Sequence, residues 1–290
     1  MMKNLLRTEL RKAFRNGYFL ASLTLGILFV ALSAWYEISL YYSDIGFLQQ
    51  VRTVEEMGYV KYPLVPMSIL YNSWIGGECV SVGYTLFFTL LPLLAVLPYG
   101  RSFSQEQKNG YLKVIIPRCG RTRYFASKWV ATFLSGGVAV VLPLLVSLGI
   151  CALVFPAVKP NVIYNQYFAF GHESMGSALF HTHPLVYTLL YLGIDFVFSG
   201  LFACLSLTTA FFFRQRLAPL VVPFLLLIGA DLLRTFFLYI SYVEVSPLLL
   251  MHPMPVVNAT KAVVLLGWLL VFTALSVPVV YAKGRRYEIL

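Results

Sequence analysis

The sequence has few charged residues, and acidic ones are scarcest. Charged side chains make up 12% of the 290 residues, where about 25% is usual in a soluble domain. Hydrophobic side chains make up 59%, against about 45–50% in soluble domains. A chain of this composition cannot cover its surface with polar groups, which excludes a water-soluble globular fold and predicts a membrane protein.

Cysteine and the short motifs of common enzymes are also scarce. The four cysteines (Cys79, Cys119, Cys151 and Cys204) form no CxxC pair, which argues against a zinc or dithiol redox site, and only a Cys79–Cys151 bridge is conceivable. The sequence contains no GxxxxGK[ST] phosphate loop, no HExxH, no GxSxG and no GxGxxG after a strand. We therefore expect no nucleotide hydrolysis by a phosphate loop on this chain.

Six apolar segments are long enough to cross a bilayer, which takes about 20 residues. We expect an all-α polytopic membrane protein that forms a single transmembrane domain over residues 1–290. The predicted spans are Tyr18–Tyr36, Val80–Pro98, Trp129–Phe155, Leu185–Phe213, Leu217–Ile240 and Ala262–Ala282.

Basic residues are placed asymmetrically around these spans. The net charge is +10, and 17 of the 22 basic residues fall in the N-terminal segment, the connections after spans two and four, and the tail. The positive-inside rule then places both termini in the cytoplasm, as an even number of spans also requires. Because topology accounts for the excess charge, we expect no nucleic-acid partner.

Three segments outside the spans have distinct patterns. The segment 1–17 is predicted to lie in the membrane interface, with an amphipathic helix over residues 2–15 and a turn at Asn16-Gly17. Residues 37–79 form a mildly acidic outer loop. In the cytoplasmic connection 99–128, Ser104-x-x-Gln107 predicts a helix start, Gly110 a helix end and Thr122 the cap of a second helix. This connection is either a docking surface for a soluble partner or an ordinary solvated loop.

Three charged residues lie within predicted spans, where charge is costly. We expect Asp195, near the middle of span four, to form a polar wall of a substrate path. Asp231 and Arg234 are i, i+3 neighbours in span five and are predicted to pair as a packing element. The alternative for Asp195 is a pair with Arg234 across the hairpin.

All four histidines fall in the predicted outer loops. His181-x-His183 with Glu173 nearby offers too few ligands on one face for a metal site, so we predict none. The histidines nevertheless leave a membrane enzyme as the weakest alternative function.

The leader LLRTELRKAFRNGYFL, the six spans and the segment SFSQEQKNGYLKVIIPRCGRTRYFASKW together resemble the membrane subunit of a type-2 ATP-binding cassette (ABC) exporter. In that segment the family pattern is an acidic residue, a glycine, a lysine or apolar run, a basic residue before an aromatic, and a lysine at the next span. Its counterparts here are Glu106, Gly110, Lys113, Arg121 or Arg123, Tyr124 and Lys128.

The resemblance implies a permease of the bacterial plasma membrane rather than an enzyme. The leader would be an elbow helix. Two permease subunits, identical or different, would pair around a path formed by spans one, two and five. A separate ATPase subunit would bind ATP and magnesium, so this chain would hold no cofactor. The implied ATPase contacts, on a coupling helix near 104–112, are Gln105, Glu106, Gln107, Lys108, Asn109, Gly110 and Tyr111.

The main alternative is a secondary transporter that couples to protons or sodium through Asp195. The cargo stays open among peptides, antibiotics, lipids and polysaccharides.

Overall fold

Helices make up most of the part of the chain that the computed structural model describes, which comprises residues 2–56, 68–160, 174–213, 215, 217–241, 243–251 and 259–285. Within these ranges the single strand-like contact is an isolated bridge between Val243 and Ala259. The helices are α1 (Met2–Phe14), α2 (Gly17–Glu56), α3 (Leu70–Ser73), α4 (Val82–Val96), α5 (Ser102–Lys108), α6 (Tyr111–Cys119), α7 (Arg121–Val154), α8 (Ser177–Thr182), α9 (Pro184–Ala210), α10 (Ala218–Ser241) and α11 (Ala262–Arg285).

Each predicted span lies on one of these helices. Four helices are long and apolar enough to cross a membrane: α7, α9, α11 and the Gly17–Ser43 part of α2. The apolar parts of α4 and α10 are shorter, covering Val82–Val96 and Ala218–Leu232. The all-helical fold is confirmed and four helices could cross a membrane by their length and composition, whereas the number six stays a prediction.

The first span is much longer than predicted. Its helix does not end at Tyr36 but continues to Glu56, a total of 40 residues. The predicted outer loop 37–79 therefore begins as helix. Polar residues ended the predicted span, but a helix satisfies its backbone hydrogen bonds internally, and residues 37–56 contain no proline to interrupt them.

Helix α9 lies at the centre of the bundle. In the most apolar stretch of α9, 67% of the residues are buried inside the bundle, whereas only 22% are buried in the corresponding stretch of α11. Helix α9 packs against α7, α4, α10 and α11. The contact with α7 depends on small residues, because a Cβ added at Gly136 would lie 2.4 Å from the Cβ of Ala203. This close approach fixes α7, whose first turns carry part of the candidate site.

Candidate functional site

Helix α1, helix α5 and the first turns of α7 meet at one end of the bundle. The buried face of α1 consists of Leu5, Glu9 and Ala13, which are four residues apart and lie against α7. The apolar face of the predicted amphipathic helix therefore has a carboxylate at its centre. The sequence analysis missed Glu9, whose only signal was that it is the one acidic residue in a basic leader.

Lys128 is the central cation of this end. Its side chain is fully buried, and its Nζ lies 3.3 Å from Glu9 Oε2 and also bonds to Glu106 Oε2. Glu9 is fully buried too, and the Glu106 side chain is 13% exposed. A buried lysine between two carboxylates ties α1, α5 and α7 together, since removing it would leave more buried negative than positive charge at this end.

Lys12 and two tyrosines complete this ion cluster, which we define as Glu9, Lys12, Tyr99, Glu106, Tyr124 and Lys128. Lys12 Nζ lies 3.1 Å from Glu9 Oε1 and 3.0 Å from Glu106 Oε1. The Tyr99 hydroxyl donates to Glu9 Oε2 at 2.7 Å, and the Tyr124 hydroxyl donates to Glu106 Oε2. Two carboxylates and two ammonium groups balance, so the cluster is electrically neutral when fully ionised.

The cluster shifts the pKa values of Glu9 and Lys12 in the directions that favour their charged forms. Burial raises the pKa of Glu9, but the ammonium groups of Lys128 and Lys12 and the Tyr99 hydrogen bond outweigh it, so that the pKa lies below the ordinary 4.5. Burial lowers the pKa of Lys12, and the carboxylates of Glu106 and Glu9 outweigh that effect and raise it above its ordinary 10.5. Both groups therefore stay charged near neutral pH.

Helix α5 is the short helix that was predicted in the connection 99–128. It begins at Ser102, and Ser104 is buried inside it, so the predicted capping box at Ser104 is wrong. Arg101 is the N-cap and makes no side-chain cap bond. The predicted end at Gly110 is confirmed, because α5 ends at Lys108 and Gly110 follows with φ +69°, a conformation that suits glycine.

The seven predicted ATPase-contact residues divide between two environments. Glu106 belongs to the ion cluster, and the half-buried Tyr111 has its ring centroid 4.1 Å from Lys12 Nζ. Gly110 is half-buried in the turn. The exposed members are Gln105, Gln107, Lys108 and Asn109. The exposed side of α5 is thus polar, while its other side is attached to α1 and α7.

The rest of the connection differs from the prediction. Residues 111–119 form the helix α6, which includes Pro117, so that proline does not end a helix. Gly120, with φ +81°, separates α6 from α7, which begins at Arg121 rather than at a Thr122 cap. The sequence analysis predicted no helix over these residues, because proline and glycine are both unfavourable inside a helix.

Asn16 joins α1 to the bundle, which confirms the predicted turn at Asn16-Gly17. Its Nδ2 donates to the carbonyl oxygens of Lys12, Ala13 and Pro98 at 2.8–3.0 Å. Its Oδ1 accepts from the backbone N–H of Phe19 at 2.7 Å. One side chain therefore links the end of α1, the start of α2 and the segment after α4.

Asp195 lies in the interior of α9 and is 2% exposed. Its Oδ1 has no hydrogen-bond partner, and no lysine or arginine nitrogen of the described chain lies within 4 Å of its carboxylate. The alternative pair of Asp195 with Arg234 is therefore not formed.

The predicted pair of Asp231 and Arg234 is wrong as well. Arg234 Nη1 lies 3.5 Å from Glu244 Oε2, and Asp231 Oδ1 accepts from Ser246 Oγ at 2.7 Å. The segment after α10 folds back and supplies both partners, which a pattern confined to one helix does not show. Both residues are therefore paired, but with Glu244 and Ser246 rather than with each other.

The histidines and cysteines form no centre in the part of the chain that the structure covers. No three His, Cys, Asp or Glu side chains there are grouped to hold a metal. His181 is half-buried and His183 exposed, while His172, Glu173 and His252 lie outside the described residues. The conceivable Cys79–Cys151 bridge is absent, since both thiols are free.

Comparison of the chain with protein-family models, curated proteins and solved structures finds no match. The described part of the chain is all-helical, and its long apolar helices are typical of a multi-pass membrane protein.

Proposed function

We propose that this chain is the permease subunit of a type-2 ABC exporter in a bacterial plasma membrane. In this proposal it has six spans, cytoplasmic termini and an elbow helix, α1, and it pairs with a second permease subunit. ATP and magnesium bind to a separate ATPase chain. The observation that carries the proposal is the attachment of α5 to α1 and α7 through the ion cluster.

Helix α5 suits a role in transmitting movement because its two sides differ. Its exposed side offers amide and ammonium groups to a soluble partner, and such groups are typical of the rim of a transient protein interface. On its buried side, Glu106 bonds to Lys12 of α1 and to Lys128 of α7. A partner that pushes α5 therefore acts on both helices.

The connection continues into the predicted spans. Asn16 attaches α1 to α2 and to the segment after α4, and α7 is itself one of the long apolar helices. A displacement of α5 would thus reach α2, α4 and α7 through direct contacts, as coupling through packed elements requires.

Retention of an ATPase tests this proposal. The full chain is purified in a gentle detergent with an ATPase subunit that carries a phosphate loop and is encoded in the neighbouring reading frame. We expect co-purification, and we expect Lys108→Glu to reduce it several-fold because the substitution reverses charge on the exposed side of α5. The matched control is Lys261→Glu, an exposed lysine before α11 at the other end of the bundle. No retention by the wild-type chain would overturn the proposal.

A second candidate function rests on Asp195. The Oδ1 atom of this buried carboxyl group has no hydrogen-bond partner among the described residues, and a buried carboxyl group inside a predicted span is typical of an ion pathway. Sodium coupling predicts that sodium chloride, but not choline chloride, raises the thermal unfolding midpoint, and that Asp195→Asn abolishes the difference. Equal midpoints in the two salts would count against sodium coupling.

A further inference from the structure

A half-open groove runs between the start of α7 and the end of α11. Its volume is about 210 Å³, and its walls are mostly apolar, with Ala126 and Val130 on α7 and Val277 and Tyr281 on α11. The two helices touch beside it, because a Cβ added at Gly284 would lie 2.5 Å from the Phe125 ring. The groove is thus a fixed feature of this helix pair.

Positive charge surrounds one end of the groove. Arg285 and Thr122 line it there, and Arg121 Nη1 donates to the Arg285 carbonyl oxygen at 3.2 Å. Among the described residues no carboxylate lies within 4 Å of either guanidinium group. The carboxylates of Glu9 and Glu106, which lie at this end of the bundle, bind to lysines instead. These exposed arginines therefore lack an acidic partner in the described structure.

The start of α7 adds to this preference for an anion. The helix begins at Arg121, and its N-cap, Gly120, provides no side-chain bond to the first backbone N–H groups. Uncapped N–H groups and the positive end of the helix dipole both favour a phosphate. The groove thus combines an apolar wall with an anion-binding end, the two parts that a phospholipid needs.

We propose that this groove binds one anionic phospholipid, with an acyl chain along the apolar wall and the phosphate at Arg121, Thr122 and Arg285. A second copy of the chain fits less well. A two-fold contact between parallel subunits would place both arginine ends side by side, where like charges repel. The proposal requires a membrane location, but it does not require an ATPase partner or any particular cargo.

Native mass spectrometry of the full chain, titrated with phosphatidylglycerol or phosphatidylcholine, tests the site. We expect phosphatidylglycerol to bind about fivefold to tenfold more tightly, since one arginine near a lipid surface contributes a factor of about five. Arg285→Gln should lower that affinity about fivefold. Arg118→Gln, at an exposed arginine of α6 outside the groove, is the charge control and should leave the affinity unchanged.

Filling the groove is the second test. Ala126→Trp places a large ring in the groove and should abolish preferential phosphatidylglycerol binding, whereas Ala274→Trp, at an exposed position of α11 outside it, should not. Val277→Trp replaces Ala126→Trp if that variant does not fold. Equal binding of the two lipids by the wild type, or unchanged binding in the groove variants, would overturn the proposal. A dimer that Ala126→Trp dissociates without changing lipid binding would assign the groove to a second copy.

Discussion

The two ends of the bundle bury carboxylates in different ways. At the end formed by α1 and α5, the partners of Glu9 and Glu106 include the ammonium groups of Lys12 and Lys128. At the opposite end of α4, Glu78 is 5% exposed and has no lysine or arginine partner among the described residues. It accepts instead from the hydroxyls of Ser33 and Ser81 and from the backbone N–H groups of Val80 and Ser81.

Because of this difference, the side chains at the end with the ion cluster can repack, whereas those around Glu78 are fixed. Glu78 binds to backbone donors at the start of α4, so it can move only with that backbone. Lysine side chains have long flexible stems and can exchange one carboxylate for another when helices shift. The ion cluster is therefore suited to a moving junction, and the Glu78 network to an anchor.

Removing the central cation should give the largest effect. Lys128→Met leaves Glu9 and Glu106 buried with only Lys12 as a cation, and breaking a buried pair in this way costs about 3–5 kcal/mol. We expect a large loss of thermal stability in detergent, measured by the unfolding midpoint and by the yield of monodisperse protein.

Lys12→Met is the matched control, because the Lys12 side chain is 35% exposed and water can solvate the charge that remains. It should cost much less. The double variant Glu9→Gln with Lys128→Met should recover part of the loss, since it leaves one carboxylate rather than two to share Lys12. Equal stability of the Lys128→Met and Lys12→Met variants would contradict the view that Lys128 holds the cluster together.

A smaller loss is expected at the anchoring end. Glu78→Gln keeps one carbonyl oxygen but presents an amide NH₂ to donors, so at least one of the hydrogen bonds to a charged acceptor is lost, at about 1.5–3 kcal/mol. The unfolding midpoint should fall less than in Lys128→Met. A larger fall than in that variant would reverse the ranking of the two ends.

The reach of sequence reasoning differs between local features and long-range contacts for a physical reason. Hydropathy and local backbone preference made three features predictable. These are the helices at the spans, the turn at Asn16-Gly17 and the end of α5 at Gly110. The bond between Glu9 and Lys128 joins residues 119 positions apart, and no local pattern encodes such a contact. The predicted Asp231–Arg234 pair failed for the same reason, because a later segment provides Glu244 and Ser246.

Acidification should have the smallest effect on the stability of the fold. Burial raises the pKa of Glu9 and so offsets part of the lowering by the ion pairs, which limits the net pKa shift. A carboxyl whose pKa is lower in the folded state stabilises the fold above its unfolded value, and that contribution disappears as the pH falls through the folded pKa. Stability should therefore decline once the pH drops below about 4.5, the ordinary value for glutamate. Glu9→Gln should flatten this part of the profile of unfolding midpoint against pH. An unchanged acid slope in Glu9→Gln would show that other carboxylates control it, and that the lysines at this end do not hold Glu9 in its charged form.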